Sequence, residues 1–251
     1  MGNTKSTDEI KEFWAQRAKE HKTSSTATLG EVLLRELEIK ALMSHLKSGL
    51  KVLDVGCGNG YSTIEFAKKF KSEFTGVDYS NEMVKYALEN KKIHDGKLQG
   101  SVQFKAGDVL NLTFEDASFD YVVTERCLQN LPEWNLQRKG INEILRVLKP
   151  GGTFLMLECS KTGLQKLQKL RKKFFKSEIA NAEPWHNRFF NDAEVLSLTK
   201  KPAIETITIE HFCSTYIFCT RLLSGRLRKI ATHLPNIGSC GYNKLYIIKK
   251  R

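Results

Sequence analysis

Three glycines at alternate positions, Gly56, Gly58 and Gly60, are the residues of this chain best suited to holding a small ligand. They follow the apolar run 52–55 and precede the helical pattern 62–70, which predicts a buried strand, a tight loop and a helix. A backbone without Cβ lets a ligand lie against it, and the amides at a helix start favour a polar or anionic group. The spacing matches neither the triphosphate loop nor the full dinucleotide fingerprint, so neither ligand is favoured, and a plain tight turn stays an alternative.

Acidic residues follow two further predicted strands. Asp78 ends the run 73–78, about twenty positions beyond the glycines, where a carboxylate is placed to accept hydrogen bonds from ribose hydroxyls. Asp108 follows the short alternating run 101–106. Ligands in open α/β sheets bind beyond the carboxyl ends of the strands, so both carboxylates are expected at one sheet edge. The alternative for Asp78 is the role of a helix-capping acid.

The segment Val52–Gly60 resembles the first motif of the class I S-adenosylmethionine-dependent methyltransferases, and Leu145–Thr153 resembles the family's motif before its fifth strand. The resemblance implies a Rossmann-like, seven-stranded, mostly parallel sheet with helices on both faces, and S-adenosyl-L-methionine as the cofactor. It further implies a set of cofactor-binding residues in the loops that follow the first four strands. These are Asp54, Gly56, Cys57, Gly58, Asn59, Gly60, Asp78, Tyr79, Met83, Asp108, Val109 and Glu125.

The same resemblance suggests what some of these residues contact. In the family, an acid at the position of Asp108 accepts from the adenine amino group, while the backbone of the next residue, Val109, meets the ring. Tyr79 and Met83 are expected to pack against the adenine, although core packing explains Met83 equally well.

A helix that precedes the first strand often folds over the cofactor in this family. The stretch Phe13–Ala18 is similar to that helix, so Phe13, Trp14 and Arg17 are expected to form part of a lid. Core packing alone is the alternative for Trp14.

The segment Thr124–Cys127 leaves the predicted fourth strand beside the expected methyl group and therefore limits the acceptor. Superfamily members that methylate exocyclic base amines carry [DN]-P-P-[YF] here, and the cytosine-C5 enzymes need Pro-Cys; neither pattern is present. A nucleobase acceptor is disfavoured, whereas ribose and protein acceptors stay open. Cys127 is interpreted as a small packing residue near the cofactor rather than as a nucleophile.

His186, Glu125 and Glu158 are the candidate catalytic residues, because an oxygen acceptor is helped by a base within about 3 Å. His186 comes first, since the unperturbed pKa of histidine lies nearest neutrality; a surface or core role is its alternative. An amine acceptor needs no dedicated base. The sequence carries no evident metal cluster, which argues against a magnesium-dependent mechanism.

The charge of the chain is positive and uneven. The net charge is +12, and the stretches Lys161–Lys176 and His211–Arg251 contain seven and eight basic residues with no acid. Such a field attracts anionic partners, which favours a small anionic metabolite or sugar as the acceptor. The alternatives are plain solvated faces, an RNA or protein acceptor, peripheral membrane contact, and a non-catalytic module that keeps the cofactor pocket.

The predicted organisation is a helical cap followed by one α/β domain. The cap covers residues 1–49, and the domain covers residues 50–251 with a substrate lid at about 161–190 and a helical insertion at about 213–240. The patterns also predict helices over residues 8–22, 29–46 and 216–234, the last of them continuous. The Ser- and Thr-rich stretch 23–28 is expected to be a mobile connector.

Several features bear on location. No apolar run approaches the roughly 18 residues that span a bilayer, and no signal-peptide core is present, so the chain is expected to be soluble and cytoplasmic. Met1–Ser6 matches the N-myristoylation pattern, which is short and therefore weakly specific. The six cysteines include no C-x-x-C pair and are expected to be reduced thiols.

Overall fold

One seven-stranded sheet organises the chain in a computed structural model that describes residues 6–175 and 186–251. The strands are β1 (Lys51–Val55), β2 (Glu73–Asp78), β3 (Ser101–Ala106), β4 (Phe119–Glu125), β5 (Leu148–Cys159), β6 (Ile204–Glu210) and β7 (Asn243–Lys250). They lie in the order β3-β2-β1-β4-β5-β7-β6, and neighbours are parallel except in the two pairs that β7 makes. The predicted fold class, a Rossmann-like and mostly parallel sheet, is confirmed.

Helices pack on both faces of this sheet. They are α1 (Thr7–His21), α2 (Val32–Met43), α3 (Tyr61–Lys69), α4 (Asn81–His94), α5 (Trp134–Val147), α6 (Lys161–Phe175), α7 (Asp192–Leu196), α8 (Ser214–Phe218) and α9 (Arg228–Ala231). Successive residues of a strand point to opposite faces. Leu53 therefore joins the apolar cluster that contains Ile141 of α5, whereas its neighbour Val52 joins the cluster that contains Leu42 of α2 and Ile64 of α3.

The N-terminal helix begins where its capping residues place it. The Ser6 hydroxyl accepts a hydrogen bond from the Glu9 amide, and the Glu9 carboxylate accepts one from the Ser6 amide at 2.8 Å. This reciprocal pair satisfies two amides that the first helical turn leaves without partners. The predicted helix over residues 8–22 is thus present one residue earlier, at Thr7–His21. Residues 1–5 of the myristoylation pattern lie outside the described residues.

The continuous helix predicted over residues 216–234 is wrong. The segment contains α8, a π-helical turn at Cys219–Leu223, a 3₁₀ turn at Gly225–Leu227 and then α9. Ser224 interrupts the helix because its backbone is extended, at φ −158° and ψ 137°, and its hydroxyl caps the amide of Arg226. A serine whose side chain bonds the backbone two residues later competes with helical hydrogen bonding.

The parallel strands bring the important loops to one edge. The carboxyl ends of β1, β2, β3 and β4 all meet there, since these strands run in the same direction. Cys159 at the end of β5 is paired with Asn243 at the start of β7, so α6 and the segment before β7 leave the sheet at the same edge. Within the described residues, no helix combines the length and the apolar character needed to cross a membrane.

Candidate active site

A cavity of about 800 Å³ lies at the carboxyl edge of the sheet, beneath α1. It brings together most of the residues that the sequence singles out. Those lining it are Phe13, Trp14, Arg17, Gly56, Gly58, Asp78, Tyr79, Met83, Asp108, Val109, Glu125, Cys127 and His186. Five other candidates do not line it, namely Asp54, Cys57, Asn59, Gly60 and Glu158.

The glycine loop is held in a backbone conformation that side chains rarely adopt. The φ angles of Gly56, Gly58 and Gly60 are +74°, +55° and +76°. A Cβ on Gly56 would lie 2.4 Å from the sulfur of Cys127, and one on Gly60 would lie 2.5 Å from the ring of Phe104. The loop therefore needs glycine for both its turn and its packing, and it exposes backbone to the cavity at Gly56 and Gly58.

Asp78 joins the glycine loop to the second strand. One carboxylate oxygen accepts from the amide of Gly58 and the other from the amide of Ser80, each at 2.9 Å. Burial raises the pKa of Asp78 to about 6, and the two amide hydrogen bonds oppose that rise. The side chain is consequently ionised at neutral pH, and each oxygen keeps a lone pair for a ligand hydroxyl.

Asn59 and Asp54 make hydrogen bonds on the side of the glycine loop that faces away from the cavity lining. The Asn59 amide donates to the carbonyls of Lys22 and Ser24, each at 2.8 Å, so its side chain holds the connector rather than the cavity. Asp54 accepts from the hydroxyl of Thr63 at 2.6 Å and thereby ties β1 to α3. Both were predicted as cofactor-binding residues, and the structure gives both side chains supporting contacts instead.

The connector 23–28 is pinned at several points. Arg17 donates to the carbonyls of Thr26 at 3.0 Å and Ala27 at 3.3 Å, and Asn90 donates to the carbonyl of Thr23 at 3.2 Å. The Ser- and Thr-rich composition predicts a mobile stretch, and Asn90 is not among the predicted site residues. A signal was present, because Asn90 lies seven residues after the buried Met83 and so shares the apolar face of α4.

Replacing Asn59 by alanine is expected to release the connector. The variant loses both hydrogen bonds to the connector carbonyls, which lowers the free energy of unfolding by about 1–3 kcal/mol. Amide hydrogen exchange over residues 22–28 should accelerate. Asn142→Ala is the matched control, since Asn142 is exposed on α5 and touches none of these residues. Unchanged exchange in Asn59→Ala would mean that other contacts hold the connector.

Aromatic side chains of α1 form one wall of the cavity. The rings of Phe13 and His186 stack with centroids 4.5 Å apart, and Trp14 meets His186 edge-on at 5.5 Å. The indole N–H of Trp14 also donates to Asn130 at 3.2 Å, which fastens α1 to the segment after β4. These contacts support the expected lid, and we name Phe13, Trp14 and His186 the aromatic wall.

His186 is held in its neutral form. Burial among the aromatic rings lowers its pKa to about 4, and the nearby charge of Arg17 acts in the same direction. A neutral imidazole can accept a proton at pH 7, although its low pKa makes it a weak base.

The titration of His186 gives a direct measurement of this environment. We expect its ring resonances to titrate near pH 4 in the folded protein, well below the ordinary value for histidine. As pH falls below the unfolded pKa, the unfolded chain binds the proton first, so His186 contributes a loss of stability between about pH 6.5 and pH 4. His186→Gln identifies the resonance by its absence. A midpoint at or above the ordinary value would contradict burial of this ring.

Glu125, at the end of β4, presents a free acceptor to the cavity. One of its oxygens accepts from the hydroxyl of Ser62, whereas Oε1 is buried and has no hydrogen-bond partner among the described residues. Its neighbour Arg126 has a positive φ of 55° and lines the cavity too. A carboxylate and a guanidinium therefore stand side by side next to the glycine loop.

Arg126 is fixed from behind by buried partners. Its Nε lies 3.5 Å from a carboxylate oxygen of Glu38, which is fully buried, and Glu38 also accepts from Asn243 at 2.6 Å. Burial raises the pKa of Glu38 to about 7, and the charge of Arg126 opposes that rise. These contacts hold Arg126 in its positive-φ conformation. Such strained backbone persists where surrounding contacts fix it, and it is common at functional sites.

Glu158 has a structural role in the loop after β4. Its carboxylate accepts from the amides of Cys127 at 3.2 Å, Leu128 at 3.0 Å and Gln129 at 3.1 Å. Burial raises the pKa of Glu158 to about 7, against the effect of these hydrogen bonds. Since Glu158 faces backbone amides and not the cavity, the structure does not bring it to the reacting atoms. Burial also raises the pKa of the Cys127 thiol, which agrees with a packing role for that residue.

The predicted substrate lid reaches the cavity only through its end. His186 and Asn187 line the cavity, whereas residues 176–185 lie outside the described residues. The described lysines of α6 do not line it. Lys166, Lys169 and Lys173 instead line a second groove. The positive charge of α6 therefore gives no support to an anionic acceptor in this cavity.

Comparison with known proteins agrees with this geometry. The model of a methyltransferase domain family matches residues 46–207, which is most of the chain. The fold and the site define a class I S-adenosylmethionine-dependent methyltransferase. The chain belongs to this methyltransferase family, and its cofactor is S-adenosyl-L-methionine.

Two relatives carry the name demethylmenaquinone methyltransferase. The chain is 38% identical over 134 residues to the protein of Staphylococcus haemolyticus (strain JCSC1435), covering 53% of each chain. It is 37% identical over 133 residues to that of Staphylococcus aureus (strain MRSA252), covering 52% of each. The match thus spans about half the length of these relatives.

Solved structures share the fold. The PH0226 protein of Pyrococcus horikoshii OT3 superposes with a TM-score of 0.60 at 22% identity, covering 91% of this chain and 93% of that one. An S-adenosylmethionine-dependent methyltransferase of Methanosarcina mazei superposes with a TM-score of 0.54 at 21% identity, covering 84% of this chain and 96% of that one.

The residues at the cavity fit the cofactor. Asp78 suits the ribose hydroxyls, and the side-by-side charges of Glu125 and Arg126 complement the ammonium and carboxylate of an amino-acid group. The Tyr79 hydroxyl and Glu125 Oε1 are buried polar atoms without a hydrogen-bond partner among the described residues, and a polar ligand would satisfy both.

Proposed function

We propose that this protein transfers the methyl group of S-adenosylmethionine to an oxygen or nitrogen atom of a small-molecule acceptor. The observation that carries the proposal is a single cavity that holds both the cofactor residues and the aromatic wall. Its volume of about 800 Å³ is in the range of pockets that enclose small molecules. The acceptor would lie between the aromatic wall and the end of β4.

The protein's main contribution is alignment. When bound, S-adenosylmethionine supplies a methyl group on a positively charged sulfur that is already a good leaving group. Asp78 and the glycine loop orient the cofactor, and the aromatic wall under α1 excludes water and confines the acceptor. Holding two reactants in line accounts for a large share of a rate enhancement, about 7–11 kcal/mol of the barrier in well-oriented cases.

The remaining task is removal of a proton from an oxygen acceptor. His186 lines the cavity as a neutral imidazole, and Glu125 Oε1 offers a second acceptor atom. We assign the first role to His186, because Glu125 is better matched to the charged amino-acid end of the cofactor. An amine acceptor that binds unprotonated requires neither residue.

A small anionic metabolite or sugar is the first candidate acceptor. Lys11, Arg17 and Arg126 line the cavity and supply positive charge within it. The arginines are partly engaged with backbone carbonyls, so Lys11, on the exposed side of α1, is the cation best placed to meet an acidic group.

A demethylmenaquinone-like acceptor is the second candidate. Its methyl group would go to a ring carbon, so this candidate replaces transfer to oxygen or nitrogen. The two relatives described above carry that substrate in their names. Apolar side chains also line the cavity beside the aromatic wall, among them Ile10, Leu29, Leu110 and Leu131. These would suit a hydrophobic ring system better than a sugar.

A transfer assay with tritiated S-adenosylmethionine separates these candidates. Label is offered with four pools: water-soluble anionic metabolites, demethylmenaquinone in detergent, RNA and protein. Label in a small molecule of the first pool supports transfer to oxygen or nitrogen, whereas label in the second pool selects the second candidate and transfer to carbon. Label only in RNA or protein would replace it with macromolecular methylation. Cofactor binding without transfer to any pool would favour a non-catalytic module.

A further inference from the structure

A second groove lies between α6 and the segment 213–240. Three exposed lysines of α6, Lys166, Lys169 and Lys173, line one side of it. Phe218 and Ile237 line the other side. This groove shares no lining residue with the cofactor cavity, so the proposed methyl transfer does not account for it.

Exposed apolar side chains are concentrated in the two segments that form this groove. Of the eleven large apolar side chains that are exposed among the described residues, seven belong to α6 or to the segment 213–240. They are Phe174, Phe175, Phe218, Leu223, Ile230, Leu234 and Ile237. Ile237 is 75% exposed and Ile230 is 60% exposed. Exposed apolar residues that are grouped, rather than scattered singly, mark sites of interaction with proteins or membranes. We call α6 and segment 213–240 together the basic-apolar surface.

The charge on this surface has one sign. Helix α6 contains six basic residues and no acid, and segment 213–240 contains four basic residues and no acid. A partner that complements both features must be anionic where it meets the lysines and apolar where it meets the isoleucines and phenylalanines. A bilayer with acidic head groups has both properties within a few ångströms of depth.

We propose that the basic-apolar surface docks this protein on the surface of an anionic lipid bilayer. Lys166, Lys169 and Lys173 lie at the level of the phospholipid head groups, and Phe218 and Ile237 enter the boundary of the acyl chains. RNA is a poorer match. Single strands bind on aromatic platforms that stack with the bases. Four of the seven exposed apolar side chains here are leucine or isoleucine, which cannot stack in this way.

The topology makes the docking relevant to the active-site edge of the sheet. Helix α6 follows β5, and segment 213–240 precedes β7, whose first residue pairs with the last residue of β5. Both parts of the surface therefore leave the sheet at the edge where the cofactor loops meet. The inference goes beyond the proposed function, because it concerns where the protein lies and not which acceptor it methylates.

Co-sedimentation with vesicles tests the docking. The full chain is mixed with phosphatidylcholine vesicles that contain or lack phosphatidylglycerol, at low and high salt. We expect binding to the anionic vesicles only, weakened by salt. Each lysine near a bilayer contributes about fivefold to the affinity, so Lys166→Gln/Lys169→Gln/Lys173→Gln should bind about a hundredfold more weakly. Ile237→Ser should also weaken binding. This loss should persist at high salt, where the charges of the lysines are screened.

A matched variant on another helix provides the control. Lys92→Gln/Ile93→Ser/Lys97→Gln changes exposed residues of the same types in and just after α4, which do not line the groove. It should bind the anionic vesicles as the unaltered protein does. Absence of vesicle binding, equal binding to neutral vesicles, or equal losses in the two triple variants would overturn the proposal. If the protein binds single-stranded RNA and the vesicles do not displace that RNA, the result would overturn the proposal of bilayer docking in favour of a nucleic acid.

Discussion

Replacing Asp78 by asparagine is expected to weaken the binding of S-adenosylmethionine by at least about a hundredfold, because hydrogen bonds from the ribose hydroxyls to a charged acceptor are among the strong ones. Isothermal titration with S-adenosylmethionine measures the change. In the unaltered protein the affinity should also fall as pH drops below about 6, since Asp78 becomes protonated there and loses its charge. That pH dependence should disappear in the variant.

The control for Asp78→Asn is Asp120→Asn. Asp120 lies near the start of β4, at the sheet edge opposite the cavity. The Asp120 carboxylate also accepts from a backbone amide of another strand, that of Lys51 at 2.8 Å, but it does not line the cavity. Its replacement should cost some stability and leave the cofactor affinity unchanged. An Asp78→Asn protein that binds S-adenosylmethionine normally would exclude the ribose contact.

Gly56→Ala is expected to lower the free energy of unfolding by about 2–5 kcal/mol. About 1–2 kcal/mol comes from a side chain at a positive φ, and about 1–3 kcal/mol from overpacking. The added Cβ would lie 2.4 Å from Cys127 Sγ and 2.6 Å from its Cβ. Denaturant titration measures the loss. Cofactor affinity should fall as well, because the loop must shift to relieve the contact.

Gly151→Ala separates the two contributions to this loss. Gly151 has nearly the same φ, +73°, and a Cβ there would meet nothing within 4 Å. It should therefore cost only the backbone part, about 1–2 kcal/mol. In a double-mutant cycle, Cys127→Gly should recover much of the remainder in Gly56→Ala. Equal losses in Gly56→Ala and Gly151→Ala would show that the loop accommodates the side chain.

The fold followed from local patterns. Short apolar runs predict β1, β2 and β3, and the glycine spacing locates the loop, because burial on a parallel sheet requires both in the chain itself. Asp78 was predictable for the same reason, since its position depends only on the end of β2. β5 begins at Leu148, which pairs with Phe119 before the Pro-Gly-Gly turn, so the strand includes most of the motif that the resemblance places before it.

The site residues with long-range partners were less predictable. Asn59 is predicted to bind the cofactor and Glu158 to act as a base. Asn59 instead bonds residues 35 and 37 positions away, and Glu158 bonds amides about 30 positions away. Periodicity contains no information about such pairs. The placement of α6 beside a second groove, rather than over the cavity, likewise depends on how the segment before β7 returns to the sheet.

Two of the three side chains of the aromatic wall, Phe13 and Trp14, belong to α1, whereas the methyltransferase family model begins at residue 46. Part of the wall that would face the acceptor is thus encoded before the stretch that forms the nucleotide-binding core. The first stretch can diverge without disturbing the nucleotide-binding core, so two homologues with similar cores can serve different metabolites. For this chain, resemblance confined to the core is a guide to the methyl donor and a poor guide to the molecule that receives the methyl group.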